Sequence, residues 1–207
     1  YGLVGSEMCI RDRFNGRHEL MDSVFLWQSG SKYRVKAHDA DMNEVEATYG
    51  QTDSGMTVIE GNLFLNGNKP IDQRSSYGLG EVLKAALDNQ AEHIVMSLGG
   101  IGSFDAGAGM LQALGAKFYD DEANIVDVSD GAYKIKYIRR IDLSNVHPRL
   151  ADAKLQLMSD FSSRLYGKQS EIMQTYQTFH LNQNEAAEID NLVWYFSELF
   201  KSELKLA

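Results

Sequence analysis

The chain has 207 residues, 43% hydrophobic and 24% charged, with a net charge of -9, the profile of a soluble globular protein with one large domain or two small ones. The negative balance removes an electrostatic case for nucleic acid, and the lack of an apolar run of about 18 residues removes one for a membrane span. Cys9 is the single cysteine, which excludes an internal disulfide and a cysteine-based zinc site and makes the reducing cytoplasm the expected location.

The chain opens on Tyr1, and Tyr1 to Arg13 (YGLVGSEMCIRDR) resembles a translated sequencing adapter. That stretch is expected to be non-native and is set outside the fold; an ordinary N-terminal segment is the alternative. No signal peptide is visible. Glu19 to Gln28 has apolar residues at helical spacing, with Leu20, Val24 and Trp27 on one side. Tyr33 to Ala37 and Val45 to Tyr49 alternate with period two around a polar turn, which predicts a β-hairpin, and Met56 to Glu60 predicts a third strand. Residues 61–74 read as a loop.

Ser75 or Ser76 can cap a helix over Tyr77 to Asn89 whose buried stripe is Leu79, Val82, Leu83, Ala86 and Leu87. A strand is expected at His93 to Leu98, a helix at Ala106 to Leu114 stopped by Gly115, and a short strand at Ala116 to Tyr119. Tyr133 to Ile141 reads as extended, and Lys154 to Met158 as a strand. Residues 161–183 lack a clear period. Glu185 to Leu206 carries the clearest helical pattern, with Ile189, Leu192, Val193, Phe196, Leu199 and Phe200 on one face and Lys201 and Lys205 near its end. Helix and strand alternate from residue 75 onward, which indicates an α/β fold.

The strand at 93–98 runs into a turn rich in glycine, with one acid, Asp105. Bare backbone N–H groups before a helix suit an anion. A Walker A loop is excluded because no lysine follows the glycines. A dinucleotide fingerprint finds Gly100 and Gly102 but meets Asp105 at its third glycine, although Asp120 lies at the spacing of a ribose-binding acid. Asp105 then has two readings. It accepts a proton or orients magnesium in phosphoryl transfer, or it caps the following helix. The segment Arg74-Ser-Ser-Tyr-Gly-Leu-Gly80 has the same two readings, anion site or plain cap. Asp160 ends a predicted strand, a common place for a catalytic group in an open α/β sheet. The five histidines (His18, His38, His93, His147 and His180) show no metal spacing.

Three segments together resemble the type I glycerate kinase family. SLGGIGSFDAGAGMLQALGAKF (97–118) is similar to the family's G-G-S-A-T-N-D-G-G-A-G-M-L-Q-A-L-G block. SSYGLGEVLKAAL (75–87) is similar to its T-T-Y-G-T-G-E-L-I, and RIDLSNVHPRLADAKLQLMSD (140–160) to the approach to its C-D-V-x-N-P-L. The resemblance implies Rossmann-like layers with a parallel or mixed sheet and a second α/β domain inserted. It assigns 14–32 and 75–207 to the Rossmann-like portion and 33–74 to a smaller β-rich one. It implies transfer of phosphate from ATP, with magnesium (Mg2+), to a hydroxyl of glycerate.

On this resemblance Gly99, Gly100, Ser103, Asp105, Gly107 and Gly109 map to the signature loop, and Asp160 to the acid of C-D-V. Tyr77, Gly78, Gly80 and Glu81 map to the Y-G-T-G-E turn. Asp105 and Asp160 are the candidate bases for the acceptor hydroxyl, so Asp105→Asn in a full-length parent is expected to lower turnover far more than stability. Arg74 and Lys168 are the candidate cations for the donor phosphates. The chain also departs from the pattern. Ile101, Gly102, Ser103, Phe104 and Ala106 replace Ser, Ala, Thr, Asn and Gly of the signature. The family's G-P-Q-K-G motif is not recognisable after Asp160, its D-S-F-K opening is missing, and Asn15 to Leu20 keeps little of its D-G-G-E-G-T turn. These departures imply a truncated member with little or no activity of its own. The alternative is a divergent, non-catalytic paralogue that binds a small acid or a nucleotide.

Overall fold

The computed structural model describes residues 20–65, 67–98, 102–159 and 163–204. The adapter-like segment 1–13, together with Gly99, Gly100, Ile101, Asp160 and Lys205, lies outside the described residues.

Helix α1 (Leu20–Phe25) is shorter than its spacing suggests, and Trp27 falls in the turn beyond it, 82% exposed. Strands β1 (Gly30–His38) and β2 (Glu44–Thr52) form the expected antiparallel hairpin. Its turn is closed by Asp39, whose Oδ1 accepts the N–H groups of Asp41 and Asn43 at 2.9 Å each. Strand β3 (Met56–Glu60) pairs antiparallel with β2. The 61–74 stretch, expected as a loop, holds a one-turn helix α2 (Asn62–Leu65) and a 3-10 turn at Ile71–Gln73.

Helix α3 (Tyr77–Asp88) buries the whole stripe read from the sequence: Leu79, Val82, Leu83, Ala86 and Leu87. This face packs on Ile59, Ile94 and Met96 of the sheet. Burying a side chain of this size contributes roughly 1.5–3 kcal/mol each, which is why a marginal 12-residue helix is stable here. Strand β4 (His93–Ser97) lies parallel to β3, helix α4 (Ala108–Ala113) follows, and β7 (Lys154–Met158) lies parallel to β4. The sheet order is β1-β2-β3-β4-β7. It is mixed, antiparallel in its first three strands and parallel in the rest. The line drawn between 33–74 and 75–207 therefore runs through one continuous sheet. On the other face of the sheet, Val58 and Val95 pack under Leu20 and Met21 of α1.

A second core joins β5 (Lys117–Tyr119) and β6 (Arg140–Asp142), an antiparallel pair, to helix α6 (Gln183–Leu204). Phe196 of α6 meets Phe118 of β5 edge-on, with ring centroids 5.8 Å apart. Tyr133 to Ile141 is not one extended run. Ala132–Tyr137 is a 3-10 helix, and the strand begins only at Arg140. Ala132, Ile135 and Ile138 are all fully buried, and a spacing of three is the period of a 3-10 helix rather than a strand. Helix α5 (Glu171–Thr175), capped by the Ser170 hydroxyl, and a 3-10 turn at Tyr176–Phe179 fill much of the stretch that showed no period. Elements this short leave none. Among the described residues no helix is long and apolar enough to cross a membrane.

Candidate functional site

The carboxyl ends of β4 and β7 are neighbours: the Leu98 amide donates to the Met158 carbonyl at 2.8 Å. In open α/β sheets ligands bind beyond such ends. A cavity of about 370 Å³ opens there, within the size range of small-molecule sites. Leu98 and Leu157 supply part of its wall. The turn from Ser103 to Gly107, Ser76 at the head of α3, and Arg164 beyond β7 supply polar groups.

Asp105 organises this turn. Its carboxylate is 1% exposed and accepts from five donors. Oδ2 takes the Ser76 amide at 2.8 Å, the Ser76 hydroxyl at 2.7 Å and the Gly109 amide at 3.2 Å. Oδ1 takes the Gly107 amide at 3.1 Å and the Ser103 hydroxyl at 3.4 Å. Ser76 Oγ in turn accepts the Met110 amide at 3.0 Å. One carboxylate and one hydroxyl thus join the heads of α3 and α4. Of the two readings of Asp105, the hydrogen bonds favour the cap. Among the described residues of the turn, the Gly107 and Gly109 amides are already taken by the chain's own acid.

The glycines divide by role. Gly107 adopts φ +78°, a conformation that suits glycine, and lines the cavity. Ala106, where the sequence pattern led one to expect glycine, adopts φ +51°, a strained choice for an alanine. Gly78 and Gly80 are buried and do not line the cavity. A Cβ at Gly78 would overlap the His38 carbonyl oxygen, and one at Gly80 would lie 2.5 Å from the Met110 carbonyl oxygen. They let α3 approach β1 and α4 closely. A Cβ at Gly109 would press on the Ser75 hydroxyl for the same reason.

The rest of the Y-G-T-G-E-like turn also faces the fold. Glu81 accepts the His38 amide at 2.8 Å and meets His38 Nδ1 at 3.0 Å. The Tyr77 ring meets the His38 ring edge-on, and burial raises the Tyr77 hydroxyl above its ordinary pKa. Arg74 donates from Nε to the Lys69 carbonyl at 2.8 Å and lies away from the cavity, as does Lys168. Burial pulls the Arg74 guanidinium below its ordinary pKa. Asp120 also lies away from the cavity, in a turn closed by the Glu122 and Asn124 amides. Gly99, Gly100 and Asp160 lie outside the described residues.

Sequence reasoning missed Arg164 and Glu171, which both line the cavity. They sit in the aperiodic stretch, where only closeness to a strand end pointed to them. That stretch is held against the turn: Phe104 meets Phe179 edge-on, centroids 5.9 Å apart. Among the described residues no group of three or more His, Cys, Asp or Glu side chains could hold a metal ion.

Residues 19–205 match the model of the glycerate kinase family. The chain is 31% identical over 200 residues to the glycerate kinase of Halalkalibacterium halodurans, an alignment that covers 92% of this chain and 51% of that protein. It is 29% identical over 168 residues to the glycerate 2-kinase of Escherichia coli K12, covering 78% of this chain and 44% of that protein. The chain therefore spans about half the length of the curated relatives it matches. A crystal structure of a candidate glycerate kinase 2 from Salmonella typhimurium LT2 superposes with a TM-score of 0.84 at 24% identity, over 92% of this chain and 52% of that one. That likeness shows the fold.

Proposed function

The chain belongs to the glycerate kinase family, and from that premise we propose that it forms the acceptor side of a kinase that moves phosphate from ATP to a hydroxyl of glycerate. The observation that carries this reading is the cavity beyond β4 and β7, with Asp105 fixing its turn and hydroxyls from Ser76 and Ser103 at its wall. Glycerate is a small hydroxy acid whose hydroxyl and carboxylate need polar partners at close quarters. The cavity offers polar groups beside an apolar wall. With its oxygens occupied, Asp105 acts by holding the turn in place. Asp160, the other acid put forward for the acceptor proton, follows Met158 of β7 by two positions in the sequence and remains our candidate for that role.

ATP supplies the transferred group when bound. Magnesium in such sites is held by one or two carboxylates and the phosphates themselves. The carboxylates described at this cavity are Asp105, saturated by donors, and Glu171. They do not make a metal site, so no step is assigned to the ion. A donor with several negative charges also meets a single described basic residue in the lining. We therefore propose that the donor is held mainly by the parts of the relatives that lie outside the half this chain spans, and that these 207 residues alone turn over slowly.

The test incubates purified chain with ATP, magnesium and D-glycerate and follows phosphoglycerate. Measurable D-glycerate binding with turnover below about 1 s⁻¹, the low end of kinase rates, is the expected result. Faster turnover sinks the inactivity claim, and no binding sinks the acceptor site. The saturated Asp105 favours a second reading, a small-acid-binding module without chemistry. Binding with no product over hours selects that reading.

A further inference from the structure

Resting on the reading of this cavity as a hydroxy-acid site, we propose that Arg164 is the specificity-determining residue that receives the carboxylate of the acid. Among the described amides around the turn, those of Gly107, Gly109 and Ser76 already donate to Asp105. An anionic ligand in a chain of net charge -9 then needs a cation. Arg164 is the only basic residue lining the cavity among the described residues. Its guanidinium makes no ion pair and no hydrogen bond among them.

The backbone beneath Arg164 is well anchored. Its amide donates to the Gln169 carbonyl at 3.2 Å, and the Gly167 amide donates to both oxygens of Asp190 on α6, at 2.9 and 3.0 Å. The side chain is exposed at the cavity's edge, so it meets an entering ligand first. A planar guanidinium matches a carboxylate through two parallel N–H···O bonds. The charge also matches: one guanidinium balances one carboxylate, whereas a triphosphate brings several charges to a single Arg.

The experiment titrates D-glycerate, acetate, glycerol and inorganic phosphate into the chain and into R164Q and R164K by calorimetry. Thermal melts confirm that both variants fold. We expect R164Q to bind D-glycerate about tenfold or more weakly, the effect of losing a charged hydrogen-bonding partner. R164K should fall between, since it keeps the charge and loses the fork. Glycerol, without a carboxylate, should be indifferent to the substitution. Equal D-glycerate affinity in R164Q overturns the proposal and leaves the hydroxy-acid reading standing. Loss of phosphate binding alone also overturns it, because the guanidinium then serves the donor. Acetate bound through Arg164 as well as D-glycerate keeps the carboxylate contact and overturns the hydroxy-acid reading. A chain that binds neither acid overturns both.

Discussion

Asp105→Asn separates the two roles of this acid. The substitution keeps size and shape and turns one acceptor oxygen into a donor. The least damaging orientation leaves the remaining oxygen on the Ser76 amide, the Ser76 hydroxyl and the Gly109 amide. The new NH₂ then faces the Ser103 hydroxyl, which can turn and accept, and the Gly107 N–H, which cannot. One unpaired buried donor costs about 1–3 kcal/mol, and three charge-assisted bonds become neutral ones worth roughly half as much. The expected loss is about 2–5 kcal/mol, a large share of the 5–15 kcal/mol that holds a domain together. For a chain of this size that lowers the melting temperature by about 5–15 °C. The assay pairs thermal unfolding with D-glycerate titration at a temperature where both forms are folded. A melt within about 1 °C of the parent, with D-glycerate binding abolished, would refute the argument and return Asp105 to the ligand.

Gly78→Ala should cost about 1–3 kcal/mol or more, because the methyl meets the His38 carbonyl, part of a strand that cannot yield like a side chain; urea unfolding measures it, and an unchanged midpoint shows that α3 does not approach β1 this closely. Burial pushes the Asp127 carboxyl up, but hydrogen bonds from Ser129 and Gln112 and the Lys134 charge outweigh it, so the group lies below its ordinary value. A depressed folded value gives stability that is full above the ordinary carboxyl range near about pH 4 and lost as pH falls through the folded value. Melting temperature should therefore drop in acid, and less steeply for Asp127→Asn; equal slopes for the two proteins rule out this tie between α4 and the 127–129 loop.

Much of the fold was legible because burial imposes a period. The α3 stripe, the hairpin, the β4 and β7 strands and the face of α6 all alternate or recur as their geometry demands. The 132–138 stretch misled because a spacing of three was read as extension. The site was less legible. Glycines before and within a helix have the same letters whether they cradle a ligand or admit a neighbouring helix. Gly78 and Gly80 lie against the His38 and Met110 carbonyls, a close approach that the letters alone do not show. Arg164 was illegible for another reason: short elements between β7 and α6 carry no period, and a cation at a cavity's edge has no local signature.

The departures from the family pattern also read differently once the structure joins them. In the sequence, Phe104 in place of Asn and the unfamiliar stretch from 161 onward look like two separate losses. In the fold they touch. Phe104 packs with Phe179, and together with Ile71 and Ile172 they form one apolar cluster. An Asn at 104 would bring a polar amide into that cluster, at a cost in unmet hydrogen bonds. The aromatic ring instead docks the rebuilt segment on the turn, and the same segment carries Arg164 and Glu171 to the cavity. Phe104 beside Asp105 and the stretch that brings Arg164 and Glu171 to the cavity are thus tied together through one packed cluster.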